Sequence, residues 1–149
     1  MFPVMRTHSR LAAAVAMAAA LVGCSDPAPA GPPPGSLSAG TAEVTVNGAR
    51  VDTTHVVNCT SEGAVTTINT GDDKSGTTSA VDTSEGASVQ FAQIRSLGGF
   101  TGSYWAQLDS PAKIEQTGRT FLMNGTANGF NEINPSARIS QTFSIRVAC

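Results

Sequence analysis

Two histidines, His8 and His55, and three cysteines, Cys24, Cys59 and Cys149, are the side chains best suited to chemistry in this chain of 149 residues. A Ser-His-Asp nucleophile needs a base held by an acidic partner. His8 lies in a segment read below as removed, which leaves His55 alone for that role. No Gly-x-Ser-x-Gly elbow exposes a serine. His55 is therefore read as a satisfied histidine at the start of a strand. A zinc site draws three or four His, Cys or carboxylate ligands, and one histidine cannot anchor the usual sets. Asp72-Asp73, between Gly71 and Gly76, lacks the spaced carboxylates of a calcium loop and has Lys74 at its centre. It reads as a solvated turn. A glycosidase needs only two carboxylates, about 5–10 Å apart. Asp82, Glu85, Asp109, Glu115 and Glu132 are the candidates, and most stand in turn-like contexts that favour a water-facing charge. No catalytic residue, cofactor or metal ligand is assigned, and the chain is read as a non-enzyme.

Cys24 has a different role. Residues 1–10 carry Arg6 and Arg10 without an acidic residue, and Leu11 to Val22 is an uncharged apolar run. That order is a secretory signal peptide. Twelve helical residues span about 18 Å, short of the ~30 Å hydrocarbon layer, so an uncleaved anchor is the weaker reading. The run ends in Leu21-Val22-Gly23-Cys24, which resembles a bacterial lipobox. The resemblance implies cleavage before Cys24, a thioether-linked diacylglycerol on its sulfur, and often a third acyl chain. Two or more chains give stable anchoring where one does not. The expected location is the extracytoplasmic face of the cell membrane.

Behind Cys24, residues 24–40 hold five of the eight prolines and form a Pro-rich disordered linker. Loss of residues 1–23 leaves seven basic against eleven acidic residues, a formal charge of −4. No basic surplus remains to bind nucleic acid, or to hold the domain on anionic lipid without acyl chains.

Residues 41–149 must then position whatever the chain presents. Val, Ile, Phe and Thr alternate between Gly, Asn and Asp clusters, and only 13% of the chain is charged. The pattern predicts strands near 42–47, 53–60, 64–70, 77–82, 87–95, 100–108, 112–117, 119–127 and 138–148. Turns are expected at Asn47-Gly48, Glu62-Gly63, 71–76, Glu85-Gly86, Gly98-Gly99 and Asn128-Gly129, and a turn or bulge at Asn124-Gly125. A short helix is allowed within 130–137. The Thr-Ser-Glu-Gly-Ala echo at 60–64 and 83–87 reads as one hairpin turn used twice. The fold class is all-β: an antiparallel sandwich or a curled half-barrel.

With Cys24 lipidated, Cys59 and Cys149 form the even pair that an exported protein oxidises to a disulfide. Two independent buried thiols are the alternative. Alternation puts Cys149 with Phe143, Ile145 and Val147, and Cys59 with His55 and Val57, so both thiols should point inward. Trp105 is the remaining candidate. Alternation groups Phe100, Tyr104 and Leu108 on one face and Trp105 with Thr101, Ser103 and Gln107 on the other, where the indole can stack a sugar or an acyl chain. Gly- and Ala-rich strands also suggest an apolar cavity inside the sheet, and hence a carrier of lipid or another small apolar ligand.

The segments Val44–Gly48, Val56–Thr60, Ile68–Gly71, Gly125–Gly129, Asn134-Pro135 and Phe143–Cys149, in this order and with the lipobox, resemble the mycobacterial nineteen-kilodalton lipoprotein antigens. The resemblance implies an actinobacterial cell-envelope lipoprotein, a surface antigen or adhesion module without established enzymatic activity. It also implies acyl chains that host innate immune receptors sense. That family's tether is often Thr-rich and O-mannosylated. Here the linker offers Ser25, Ser36 and Ser38 and no Thr before Thr41, which leaves its glycosylation open.

Overall fold

The computed structural model describes Gly31 and residues 33–149. The expected signal peptide, Cys24 and most of the linker lie outside the described residues. Ten strands form: β1 (Ala42–Val46), β2 (Ala49–Thr54), β3 (Val57–Glu62), β4 (Val65–Gly71), β5 (Gly76–Asp82), β6 (Ser88–Leu97), β7 (Phe100–Trp105), β8 (Lys113–Thr117), β9 (Thr120–Asn131) and β10 (Asn134–Ala148). They build one antiparallel sheet in the order β2-β1-β10-β9-β7-β6-β5-β4-β3, with β8 paired to the first part of β9. Its edge strands, β2 and β3, are joined by only His55 and Val56. So short a link brings the two edges together, and the sheet curls until it is nearly closed into a barrel. A curled sheet replaces the sandwich alternative.

Period-two alternation explains the pairing. In β1, Ala42, Val44 and Val46 are buried and meet Val147, Ile145 and Phe143 of β10. Ile145 in turn pairs with Met123 of β9, and Met123 with Ile114 of β8. A one-residue slip would turn this whole apolar row outward, so burial specifies the register. Asn47 and Gly48, both at positive φ, close the β1–β2 hairpin as a two-residue turn. Tyr104, Ile68, Ile94 and Met123 are among the largest side chains sealed in the interior. Where glycine omits a Cβ, a ring takes the room: a methyl on Gly102 would lie 2.5 Å from the Phe100 ring, and one on Gly125 2.9 Å from Phe143.

Several local expectations need correction. The predicted strand 53–60 is broken at His55-Val56, and β2 is an extra strand that alternation missed. Residues 132 and 133 form a tight turn in place of the 130–137 helix, because Asn131 Oδ1 accepts the Asn134 amide and pulls β10 straight back. Asn124-Gly125 and Asn128-Gly129 are neither turns nor a bulge. Both lie inside β9, where Gly102 and Gly129 face each other across β7 and β9. Only glycine fits there, since a Cβ on Gly129 would stand 2.0 Å from the Thr101 carbonyl oxygen. The echoed pentapeptides also differ. Gly63-Ala64 is a two-residue turn, whereas 83–87 is a five-residue connection whose Thr83 amide binds the Ala64 carbonyl at 3.0 Å.

Candidate functional site

Trp105 closes β7 on the outer face of the sheet, directly opposite Phe91 of β6. The two rings stack with centroids 5.2 Å apart and planes 29° apart. The indole N–H donates to Ser103 Oγ at 3.2 Å, yet 41% of the residue remains exposed. Stacking and the hydrogen bond together hold one ring position on a strand, while leaving a large apolar surface wet.

The strand expected to run to residue 108 stops at Trp105. Its carbonyl accepts the Leu108 and Asp109 amides, at 3.0 and 2.9 Å, and the chain turns. Leu108 consequently leaves the Phe100–Tyr104 face and is 83% exposed. The turn delivers Asp109, whose Oδ2 accepts the Trp105 amide and whose Oδ1 accepts Asn128 Nδ2, both at 2.8 Å. Asn128 Oδ1 then accepts the Ser140 hydroxyl of β10 at 2.5 Å. One hydrogen-bonded chain thus crosses the 105–109 turn, β9 and β10.

These residues line a groove of about 460 Å³, with Trp105 and Leu108 on one wall, Arg138 and Ile139 on the other, and Ser103, Asn128 and Ser140 between. An adjoining depression of about 340 Å³ shares Ser103, Asn128 and Arg138 and extends to Gln93, Arg95 and Phe130. A third, of about 280 Å³, shares Trp105 and Leu108 and extends to Phe91 and Gln107. Residue pattern alone marks Trp105 but makes Asp109 a water-facing turn carboxylate and Asn128 part of a turn. No local signal joins them, because their contact depends on strand register.

The other expected positions are distributed elsewhere. Cys59 and Cys149 are joined by a disulfide, with Cα atoms 5.9 Å apart, and both pack against the core. His55 is a correction: it does not share the inward face of Val57 and Cys59. The break between β2 and β3 exposes it, with Nδ1 3.2 Å from Thr41 Oγ1. Asp72 caps its turn, Oδ1 accepting the Lys74 and Ser75 amides at 2.8 Å. Those bonds hold its carboxyl below the usual carboxylate range, and the Ser84 amide does the same for Asp82. Glu85, Glu115 and Glu132 lie on the β5–β6 connection, on β8 and in the β9–β10 turn. Among the described residues, no cluster of three or more His, Cys, Asp or Glu could hold a metal ion.

Comparison with known proteins adds what the fold alone cannot supply. The family described as Mycobacterium 19 kDa lipoprotein antigen matches residues 35–149. A protein named as a lipoprotein in Mycobacterium indicus pranii is 38% identical over 146 residues, covering 97% of this chain and all of that one. Another, from Mycobacterium avium subsp. hominissuis, is 33% identical over 147 residues and 97% of both chains. Lipoprotein LppE of Mycobacterium tuberculosis is 30% identical over 110 residues, 72% of this chain and 77% of its own.

Proposed function

Starting from the fact that this chain belongs to the Mycobacterium 19 kDa lipoprotein antigen family, we propose that it is a lipid-anchored envelope protein displaying a non-enzymatic β domain. Residues 1–23 direct export and are removed, Cys24 carries the acyl chains, and residues 24–40 are the linker. The carrying observation is the run Leu21-Val22-Gly23-Cys24 at the end of an apolar segment, in a chain whose relatives are named as lipoproteins. The last residues of that linker are hydrogen-bonded to the domain. The Leu37 amide binds Thr120 Oγ1 at 3.0 Å and the Gly40 amide binds the Ala148 carbonyl at 2.9 Å, so the chain joins the sheet just before β1.

A binding and display role is favoured because His55 sits in an exposed link while the acidic residues occupy separate turns and strands. Antigen or adhesion activity, and sensing of the acyl chains by host innate immune receptors, follow from the same reading. Mass spectrometry of the mature amino terminus from membranes tests it. A chain beginning at an acylated Cys24 is expected, and Cys24→Ala should release the domain from the membrane fraction. An unmodified Cys24 in the native protein would overturn the reading.

A further inference from the structure

We propose that the outer surface running from Phe91 across Trp105 to Phe130 is a binding track for an uncharged, hydroxyl-rich glycan chain. Anchoring through Cys24 is not required for it. Three features carry the assignment. The first is the platform: an indole already stacked on Phe91 and tied to Ser103 keeps 41% of its surface exposed. A rigid, amphipathic aromatic is suited to the apolar face of a sugar ring, and ordering it costs little entropy. Second, the floor is built from groups that match hydroxyls. Asp109, Asn128 and Ser140 are locked to one another across the turn, β9 and β10, which fixes their remaining donors and acceptors before any ligand arrives.

The third feature is extent. The central groove shares Ser103, Asn128 and Arg138 with one neighbouring depression and Trp105 and Leu108 with the other, and aromatic residues, Phe130 and Phe91, stand at the two ends. A continuous track suits several consecutive sugar units better than one. The row itself follows from register: Thr78, Gln93, Ser103, Asn128 and Ser140 are successive cross-strand partners on β5, β6, β7, β9 and β10. Adjacent strands lie about 4.8 Å apart, so uncharged hydrogen-bonding side chains recur at that interval along the surface.

Other occupants fit less well. An acyl chain would have to cover carboxamides, hydroxyls and a carboxylate without satisfying them, which is costly. A peptide strand adds by pairing with a free edge. β6 lies between β5 and β7, β7 pairs with β9 as far as Ser103, and beyond it the Trp105 amide and carbonyl are taken by Asp109 and Leu108, so no edge lies free where the track crosses them. Asp109 is set against Arg138 and Arg95 along the track, so the lining has no strong surplus of either sign and suits an uncharged chain better than a highly charged polymer.

Trp105 is the one tryptophan in the chain, so its fluorescence reports on this site directly. The full-length chain, with its disulfide intact and in a detergent without a sugar headgroup, would be titrated with neutral gluco-, manno-, galacto- and xylo-oligosaccharides of increasing length. The expected result is a saturable spectral shift with at least one series, with affinity rising with length. Calorimetry should show Trp105→Ala weakening binding by about tenfold or more, about 1.4 kcal/mol, and Trp105→Phe retaining most of it. Gln93, exposed on β6, provides a variant with little folding risk: Gln93→Ala should weaken the longer oligosaccharides and spare the shortest. Absence of a shift with every series would overturn the proposal. So would unchanged affinity in Trp105→Ala, or a shift with phosphatidylcholine vesicles but with no sugar.

Discussion

Cys59 and Cys149 stand ninety residues apart in sequence and are bonded to each other, joining edge strand β3 to the residue that follows β10. β3 lies at one end of the sheet order, while β10 is separated from the other end only by β1 and β2. The bond therefore spans the seam at which the curled sheet nearly closes. The two-residue link at His55-Val56 fastens the same seam through the main chain.

Loss of that bond should be felt globally. Releasing a loop of this length costs about 4–5 kcal/mol in the chain-entropy account. Urea unfolding of the oxidised protein against Cys59→Ala/Cys149→Ala should show a clear fall in midpoint. Coincident curves would mean that packing alone holds the seam.

The Gly102–Gly129 contact is equally sensitive, for a steric reason. Gly129→Ala would drive a methyl into the Thr101 carbonyl and the Gly102 Cα, both main chain, so β7 and β9 must separate. The expected cost is about 3 kcal/mol or more. Gly118→Ala is the contrast: φ is +58° but nothing lies within 4 Å of the added methyl. Backbone strain alone should cost about 1–2 kcal/mol there. Denaturation midpoints of the two variants should rank in that order.

Two polar positions in the interior should respond in opposite directions. Thr70 Oγ1 accepts the Thr77 amide at 3.1 Å and shares a hydrogen bond with Thr77 Oγ1 at 2.8 Å, all buried. Thr70→Val strands both partners and should destabilise by about 1–3 kcal/mol. Ser79 Oγ is fully buried on β5 with no hydrogen-bond partner among the described residues. Ser79→Ala removes an unsatisfied hydroxyl and should leave stability unchanged or raise it by up to about 1 kcal/mol. Thermal unfolding of both variants checks the signs together.

Stability should also fall in acid through Asp72 and Asp82. Their carboxyls are held below the usual carboxylate range by amide hydrogen bonds made only in the folded chain. A depressed folded pKa means that the unfolded chain binds protons first as the pH drops. The contribution is complete above the unfolded value and disappears as the pH falls through the folded one. Asp72→Asn/Asp82→Asn keeps an acceptor oxygen at each turn but removes the titration. Melting temperature against pH should decline less steeply below about pH 4 in the double variant; parallel profiles would remove both groups from the acid limb.

Much of this protein is legible from local rules, because local rules act between near neighbours in sequence. Alternation in Ala42–Val46 and Phe143–Val147 marks strands and their buried faces, since successive side chains must point to opposite sides. Asn47-Gly48 announces a tight hairpin because both residues tolerate positive φ. Cys59 and Cys149 are paired by counting, once Cys24 is set aside for lipid. The same rules misplace Asn128-Gly129, since glycine serves a turn and a close strand approach equally well, and only the facing Gly102 separates the two. They also carry β7 past Trp105, because the Asp109 carboxylate that ends the strand acts on a main-chain amide rather than on a pattern. The curl of the sheet, the seam between β2 and β3, and the meeting of Trp105, Asp109, Asn128 and Ser140 belong to the tertiary structure. They arise from strand order and register, which bring side chains nineteen positions apart (Asp109 and Asn128) and twelve apart (Asn128 and Ser140) within hydrogen-bonding reach on one surface.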